Sequence, residues 1–201
     1  MDTSEISSMV PRAFERAAIL HRNQIRKGSG YPFIIHPIRV YFILVHFTDD
    51  EHTLVAGILH DNQEDIPQET YSKEDLKREF GEIVSRTVEG ASEKKDPKDS
   101  RETKIASWGK RKRDHLKKLE NEDERTLMVV CADKIDNLRD LIEGYQREGE
   151  KHWERFNAPG KKIMWYFRAN FTLLQAKLDN PIVAQLGRFL REAEELVGNK
   201  Q

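Results

Sequence analysis

Apolar residues recur along the chain at spacings of three and four, and no stretch alternates strictly between apolar and polar positions from one turn signal to the next. That period belongs to helices, so the expected fold class is all-α. Pro11 suits a first helical turn. A helix is expected from there to about Gln24, with Phe14, Ala17, Ala18, His21 and Ile25 along one side. The stretch Arg26-Lys27-Gly28-Ser29-Gly30-Tyr31-Pro32 is a loop by its Gly and Pro content. A second helix is expected to start at Pro37 and continue through Ile43, Leu44 and Phe47. Asp49 or Asp50 caps a third, whose apolar face holds Leu54, Val55, Ile58 and Leu59 and which Pro67 ends at or before Ile66.

Downstream, Ser72 with Asp75 resembles a capping box, and Gly81 and Gly90 punctuate two short helices. Residues 91–100, ASEKKDPKDS, form a polar surface loop broken by Pro97, too short to mark a domain boundary. Trp108 opens a basic helical segment, GKRKRDHLKKL. Leu127, Val130, Cys131, Lys134, Ile135, Leu138, Leu141 and Ile142 trace a long helix with a buried stripe, and Pro159 and Pro181 start two more. No internal repeat is visible. One domain over 1–201 is expected, with its core at about 11–180 and a C-terminal helix at 181–197.

Composition narrows the function classes. Of 201 residues, 37% are hydrophobic and 34% charged, a profile that can fold. The net charge of −1 gives no general attraction to nucleic acid or acidic membranes, so any anion site must be local. The basic helix around 110–118 lacks the interleaved aromatics of a nucleic-acid binder. Cys131 is the only cysteine and lies in an apolar run, which fits a small buried hydrophobe rather than a reactive thiol. No apolar run approaches the roughly 20 residues needed to span a bilayer, and the N-terminus lacks the pattern of a secretory signal. A cytoplasmic location is the default expectation.

The sharpest local feature is His60-Asp61-x-x-Glu64-Asp65 at the end of the third helix. Residues four apart share a helix face, so His60 is expected above Glu64 and Asp61 above Asp65. Acidic groups that close repel one another, and a divalent cation removes the conflict. A solvated acidic helix end is the plain alternative. Upstream, Pro37 fixes the backbone beside His36, which is either a ligand on a rigid platform or a hydrogen-bonded structural histidine. Downstream, Asp133 sits among Cys131, Ala132 and Ile135, where a carboxylate is costly unless paired or metal-bound. Lys134 could satisfy it instead, and Asp136 is a solvent-side alternative.

Taken together, the strings RKxSGxPFIIHP, LxAGxLHDxxED and ADKxxNLRDL resemble the HD-domain alarmone hydrolases, which include the hydrolase half of RelA/SpoT proteins and the stand-alone small hydrolases. The resemblance covers roughly residues 13 to 175 and implies an HD-domain helical bundle. It implies one divalent metal held by His36, His60, Asp61 and Asp133, with Mn²⁺ expected and Fe²⁺, Zn²⁺ or Mg²⁺ as alternatives. Glu64 and Asp65 correspond to the pair that activates water. On the substrate side the matches are Arg26, Lys27 and Ser29 near the base, although Gly28 interrupts the usual run, then Asn137 near the ribose and Lys162 and Tyr166 at phosphates. Trp108-x-x-Arg111-Lys112 is similar to a signature of small HD proteins, with Trp108 read as a core anchor. A solvated helix face is the alternative for the basic residues.

The expected activity is metal-dependent 3′-pyrophosphohydrolysis of guanosine tetra- or pentaphosphate, and the chain length leaves no room for a synthetase domain. Two alternatives remain. One is an HD phosphohydrolase of another nucleotide, such as the adenosine analogue or a phosphomonoester. The other is a catalytically inactive helical binding module.

Overall fold

The computed structural model describes residues 9–26, 29–94 and 98–198. Among them the regular elements are all helical: α1 (Met9–Leu20), α2 (Ile35–Leu44), α3 (Glu51–Leu59), α4 (Asn62–Asp65), α5 (Lys73–Ala91), α6 (Arg101–Leu119), α7 (Glu124–Glu148), a 3₁₀ segment (Gly149–Arg155), α8 (Gly160–Lys177) and α9 (Ile182–Gly198). One isolated bridge between Ile25 and Pro32 is the sole β-type pairing among the described residues.

α7 organises the rest. Asp123 caps it by accepting from the Thr126 N–H, and Gly149, at φ 60°, ends it in a conformation few other residues adopt. Most of its 25 residues are buried, because α2, α3, α5, α8 and α9 all pack against it. Leu138 and Leu141 are almost wholly enclosed. Each contributes about 1.5–3 kcal/mol by burial, and Leu138→Ala would cost about 2–5 kcal/mol. One apolar cluster runs from Ala13 in α1 to Ala193 in α9.

Several boundaries differ from the sequence expectation. α1 stops at Leu20, and His21–Asn23 form a turn in which His21 bonds Asn62 and Gln24. Ala18 and Ile25 are therefore exposed rather than part of a buried side. α2 starts two residues before Pro37, because proline is tolerated in a first turn where its missing N–H has no helical partner. Asp50, not Asp49, caps α3, accepting from the Thr53 N–H at 3.0 Å. The Ser72–Asp75 capping box is present. Gly81, at φ 87°, kinks α5 without ending it. Gly90 lies within α5, where a Cβ would stand 2.8 Å from Thr126 of α7, so close helix approach fixes it. α6 begins at Arg101, capped by Ser100, which puts Trp108 mid-helix.

Candidate metal centre and its cleft

Three helices bring the chemistry together. His36 sits in the first turn of α2, His60 and Asp61 follow α3, and Asp133 lies in the middle of α7. The Nε2 atoms of the two histidines are 3.2 Å apart. Asp61 Oδ2 stands 3.3 Å from each, and Asp133 Oδ1 lies 3.2 Å from His36 Nε2 and 3.7 Å from His60 Nε2.

The hydrogen bonds behind the rings fix which nitrogen faces inward. His60 Nδ1 donates to the Gly57 carbonyl at 2.8 Å, and His36 Nδ1 donates to Asp136 Oδ2 at 2.7 Å. Two neutral imidazoles would then aim lone pairs at each other and at two carboxylates, so the set demands a positive charge at its centre. Burial and the Arg26 guanidinium push the His36 pKa down, yet hydrogen bonds to Asp133, Asp136 and Asp61 carry it up to about 10. His60 is also raised: burial opposes the shift, and Asp61 and Asp133 outweigh it. Burial works against ionising both aspartates, but the neighbouring cations hold Asp61 and Asp133 well below the usual carboxylate range. A divalent ion meets that demand better than one proton. Ligands about 2.1 Å from such an ion stand roughly 3.0–3.4 Å apart, which suits these spacings. The His/Asp set therefore fits a divalent metal.

Asp136 is not the solvent-side residue expected from the sequence. It is fully buried, and besides His36 it bonds Arg26 at 2.9 Å. Helical periodicity places it on α7 three residues beyond Asp133, close enough to brace the imidazole that faces Asp133. Arg26 also bonds Asn137 at 3.0 Å and approaches Asp140 at 3.3 Å, so its guanidinium is engaged by α7. A buried arginine with several carboxylate partners braces the loop start, and it also lines the adjoining cleft.

The HDxxED segment also departs from one continuous helix. α3 ends at Leu59, Asp61 adopts φ −83°, ψ −9°, and α4 restarts at Asn62. The His60 carbonyl takes the Ser92 hydroxyl at 3.3 Å. Glu64 Oε1 accepts the Glu93 N–H at 2.6 Å. The break lets His60 and Asp61 turn toward α2 and α7 while Glu64 and Asp65 line the adjoining cleft.

That cleft has a volume of about 560 Å³. Lys134 and Asn137, two of its lining residues, both bond Asp133, which ties the cleft to the His/Asp cluster. Arg111, Lys112 and Lys104 from α6 and Tyr166 from α8 also line it. Trp108 is nearly buried beside them, matching its expected anchoring place. Lys112 Nζ lies 4.3 Å and Lys134 Nζ 5.5 Å from the Tyr166 ring centre, both in cation–π contact. Ser29 and Lys162 do not line the cleft, and Lys162 is solvent-exposed on α8. Its helix turns the next residue, Ile163, inward instead. Lys27 lies outside the described residues.

Sequence reasoning missed Glu93 and His115. Glu93 lay in a stretch that read as a polar loop, yet it is buried and bonds Arg111 at 2.7 Å as well as Lys112. Burial raises its pKa, but Lys112 and its neighbours outweigh that and hold it at about 2. His115 accepts from the Tyr166 hydroxyl and donates to the Ala91 carbonyl, each at 2.8 Å. Burial and Lys134 lower it to about 4.

The chain matches the HD domain family over residues 13–158. It belongs to that family. The HD domain here is 37% identical over 132 residues to a GTP pyrophosphokinase of Streptomyces coelicolor, covering 66% of this chain and 14% of that protein. It is 34% identical over 137 residues to a guanosine-3′,5′-bis(diphosphate) 3′-pyrophosphohydrolase of Aquifex aeolicus, covering 66% of this chain and 18% of that one. The matched region thus spans under a fifth of these curated relatives. Among solved structures, a metazoan SpoT ortholog described as hydrolysing ppGpp superposes with a TM-score of 0.72 at 26% identity, covering 94% of this chain and 98% of that one. A Listeria monocytogenes protein shares the fold, with a TM-score of 0.66 at 24% identity over 81% of this chain and 99% of that one. The resemblance to HD-domain alarmone hydrolases stands on these matches, and so does the all-α fold. No helix among the described residues is long and apolar enough to cross a membrane.

Proposed function

We propose that this HD domain is a metal-dependent phosphohydrolase that cleaves the 3′-pyrophosphoryl group from guanosine tetra- or pentaphosphate, giving pyrophosphate and GDP or GTP. The observation that carries this reading is the convergence of two inward-facing imidazoles and two carboxylates, linked through Asp133 to Lys134 and Asn137 of a cleft that Arg111 and Lys112 also line. The Aquifex guanosine-3′,5′-bis(diphosphate) 3′-pyrophosphohydrolase and the metazoan SpoT ortholog that hydrolyses ppGpp support the substrate class.

His36, His60, Asp61 and Asp133 would hold the ion, with Mn²⁺ favoured by a mixed N/O donor set. When bound, it supplies Lewis acidity toward a phosphoryl oxygen and toward water. Glu64 and Asp65 take the proton of the attacking water, a role worth about 10²–10⁴ in rate. Glu64 is held for this by the Glu93 N–H. As the water oxygen bonds to phosphorus, the bond to the ribose 3′ oxygen breaks and that oxygen takes up the proton held by the Glu64–Asp65 pair, leaving as a hydroxyl. Lys112, Lys134 and Arg111 face the phosphates and offset their charge. Asn137 stands at the ribose side, between Asp133 and Arg26. Asp136 keeps His36 in the tautomer that a metal ligand needs.

The test is incubation of purified protein with guanosine tetraphosphate, with and without Mn²⁺, reading pyrophosphate. Stoichiometric pyrophosphate with Mn²⁺ is expected. Its absence under both conditions, or release of orthophosphate alone, refutes the assignment.

A further inference from the structure

The cleft's cationic wall already holds a carboxylate that no catalytic role requires. Glu93 reaches into it from the segment after α5, with Oε2 2.7 Å from Arg111 NH1 and Oε1 on Lys112 Nζ. All three groups are largely withdrawn from solvent, with side-chain exposures of 6%, 14% and 17%. Arg111 is braced from behind by the Ser107 hydroxyl at 3.2 Å and the Lys104 carbonyl at 3.2 Å, so its fork is fixed while Glu93 occupies it. Lys112 is fixed against the Tyr166 ring. An arginine and a lysine converging on a dry cleft wall form a phosphate-type site, and a carboxylate in the same position is an anion of the same sign and similar reach.

We infer that Glu93 is a tethered occupant of an anion subsite formed by Arg111 and Lys112, and that a di- or polyphosphate group entering the cleft exchanges with it. The residue is a specificity determinant rather than a catalytic one: it sets the affinity threshold an incoming phosphate must exceed. A weakly charged anion gains nothing by replacing one carboxylate. A pyrophosphoryl group, carrying more charge and more acceptor oxygens, does gain. The exchange reaches the reacting end of the cleft as well, because the Glu93 N–H holds Glu64 Oε1 at 2.6 Å. Displacing the Glu93 side chain therefore loosens the segment that positions Glu64. This consequence rests on the proposed hydrolysis, whereas the subsite itself does not.

The discriminating experiment is calorimetric titration of the whole protein with inorganic pyrophosphate, at fixed metal content, for the wild type, Glu93→Gln and Glu93→Asp. Glu93→Gln removes the competing charge and keeps the shape, so pyrophosphate should bind about tenfold more tightly. Glu93→Asp, one methylene shorter, should fall between the two and serves if the Gln variant does not fold. With guanosine tetraphosphate, KM should fall in Glu93→Gln while kcat falls too, because Glu64 is less firmly held. Unchanged or weaker pyrophosphate binding in the variants overturns the inference, as does failure of pyrophosphate to bind any of the three. If pyrophosphate binding tightens but guanosine tetraphosphate is never cleaved, the subsite stands and the proposed function fails.

Discussion

His36 and His115 are both buried imidazoles, and the protein moves them in opposite directions. His36 meets three carboxylates and is carried up to about 10, whereas His115 meets a phenol, a carbonyl and the field of Lys134 and is lowered to about 4. The residue type is the same and the desolvation similar, so the neighbours decide. The His/Asp cluster is thus built to accept a cation, while burial keeps the histidine beside the cationic part of the cleft neutral. The cation end is supplied by α2, α3 and α7, the most enclosed helices. The anion wall is supplied by the more exposed α6 and by α8.

The first way to break the comparison is at the cation end. Asp133→Ala should lose bound metal and metal-dependent hydrolysis together, a drop of about 10³ or more in kcat/KM. Metal content and turnover measured on one preparation check it, and full activity would refute the cluster as a metal site. Glu64→Gln should keep the metal and lose about 10²–10⁴ in kcat. Loss of metal in that variant would move Glu64 from proton acceptor to ligand. Asp136→Asn releases the inward orientation of His36 and should weaken metal binding about 10–100-fold, read by competition with a chelator. An unchanged affinity would mean that Asp136 serves Arg26 alone.

The remaining effect concerns stability rather than activity and lies beside the cationic part of the cleft. The folded pKa of His115, about 4, lies below its ordinary value of 6.5, so the fold binds fewer protons there than the unfolded chain. The contribution of His115 is complete above pH 6.5 and lost as the pH falls to about 4, amounting to about 3 kcal/mol. Urea midpoints from pH 7.5 to 4 should drop more steeply in the wild type than in His115→Gln. Parallel curves would remove His115 from the acid limb.

Legibility in the sequence differed sharply between the two ends. His36, His60, Asp61 and Asp133 could be named because three motifs together resemble one family; alone, His36 reads equally as a structural histidine, and only the Asp133 carboxylate in an apolar helix is costly by itself. Asp136 was misjudged, since the helical period alone cannot tell which polar neighbour of a buried aspartate also turns inward. The anion wall was harder still. Lys162 matches a phosphate-contacting position by resemblance but faces solvent, while Glu93, inside a polar loop, carries two buried salt bridges. Arg26 was identified as a site residue, yet its partners on α7 lie more than a hundred positions away.

The sequence by itself determined the helical class, most of the elements, and the residue types needed to hold a divalent ion, because hydrophobic period, caps and costly polar residues are local properties. Only the tertiary structure decided that the two histidines present Nε2 to each other, that Asp136 and Arg26 brace them, and that Glu93 fills the cationic wall. Those outcomes depend on distances between side chains far apart in the chain, and such distances are set by how the helices pack around α7.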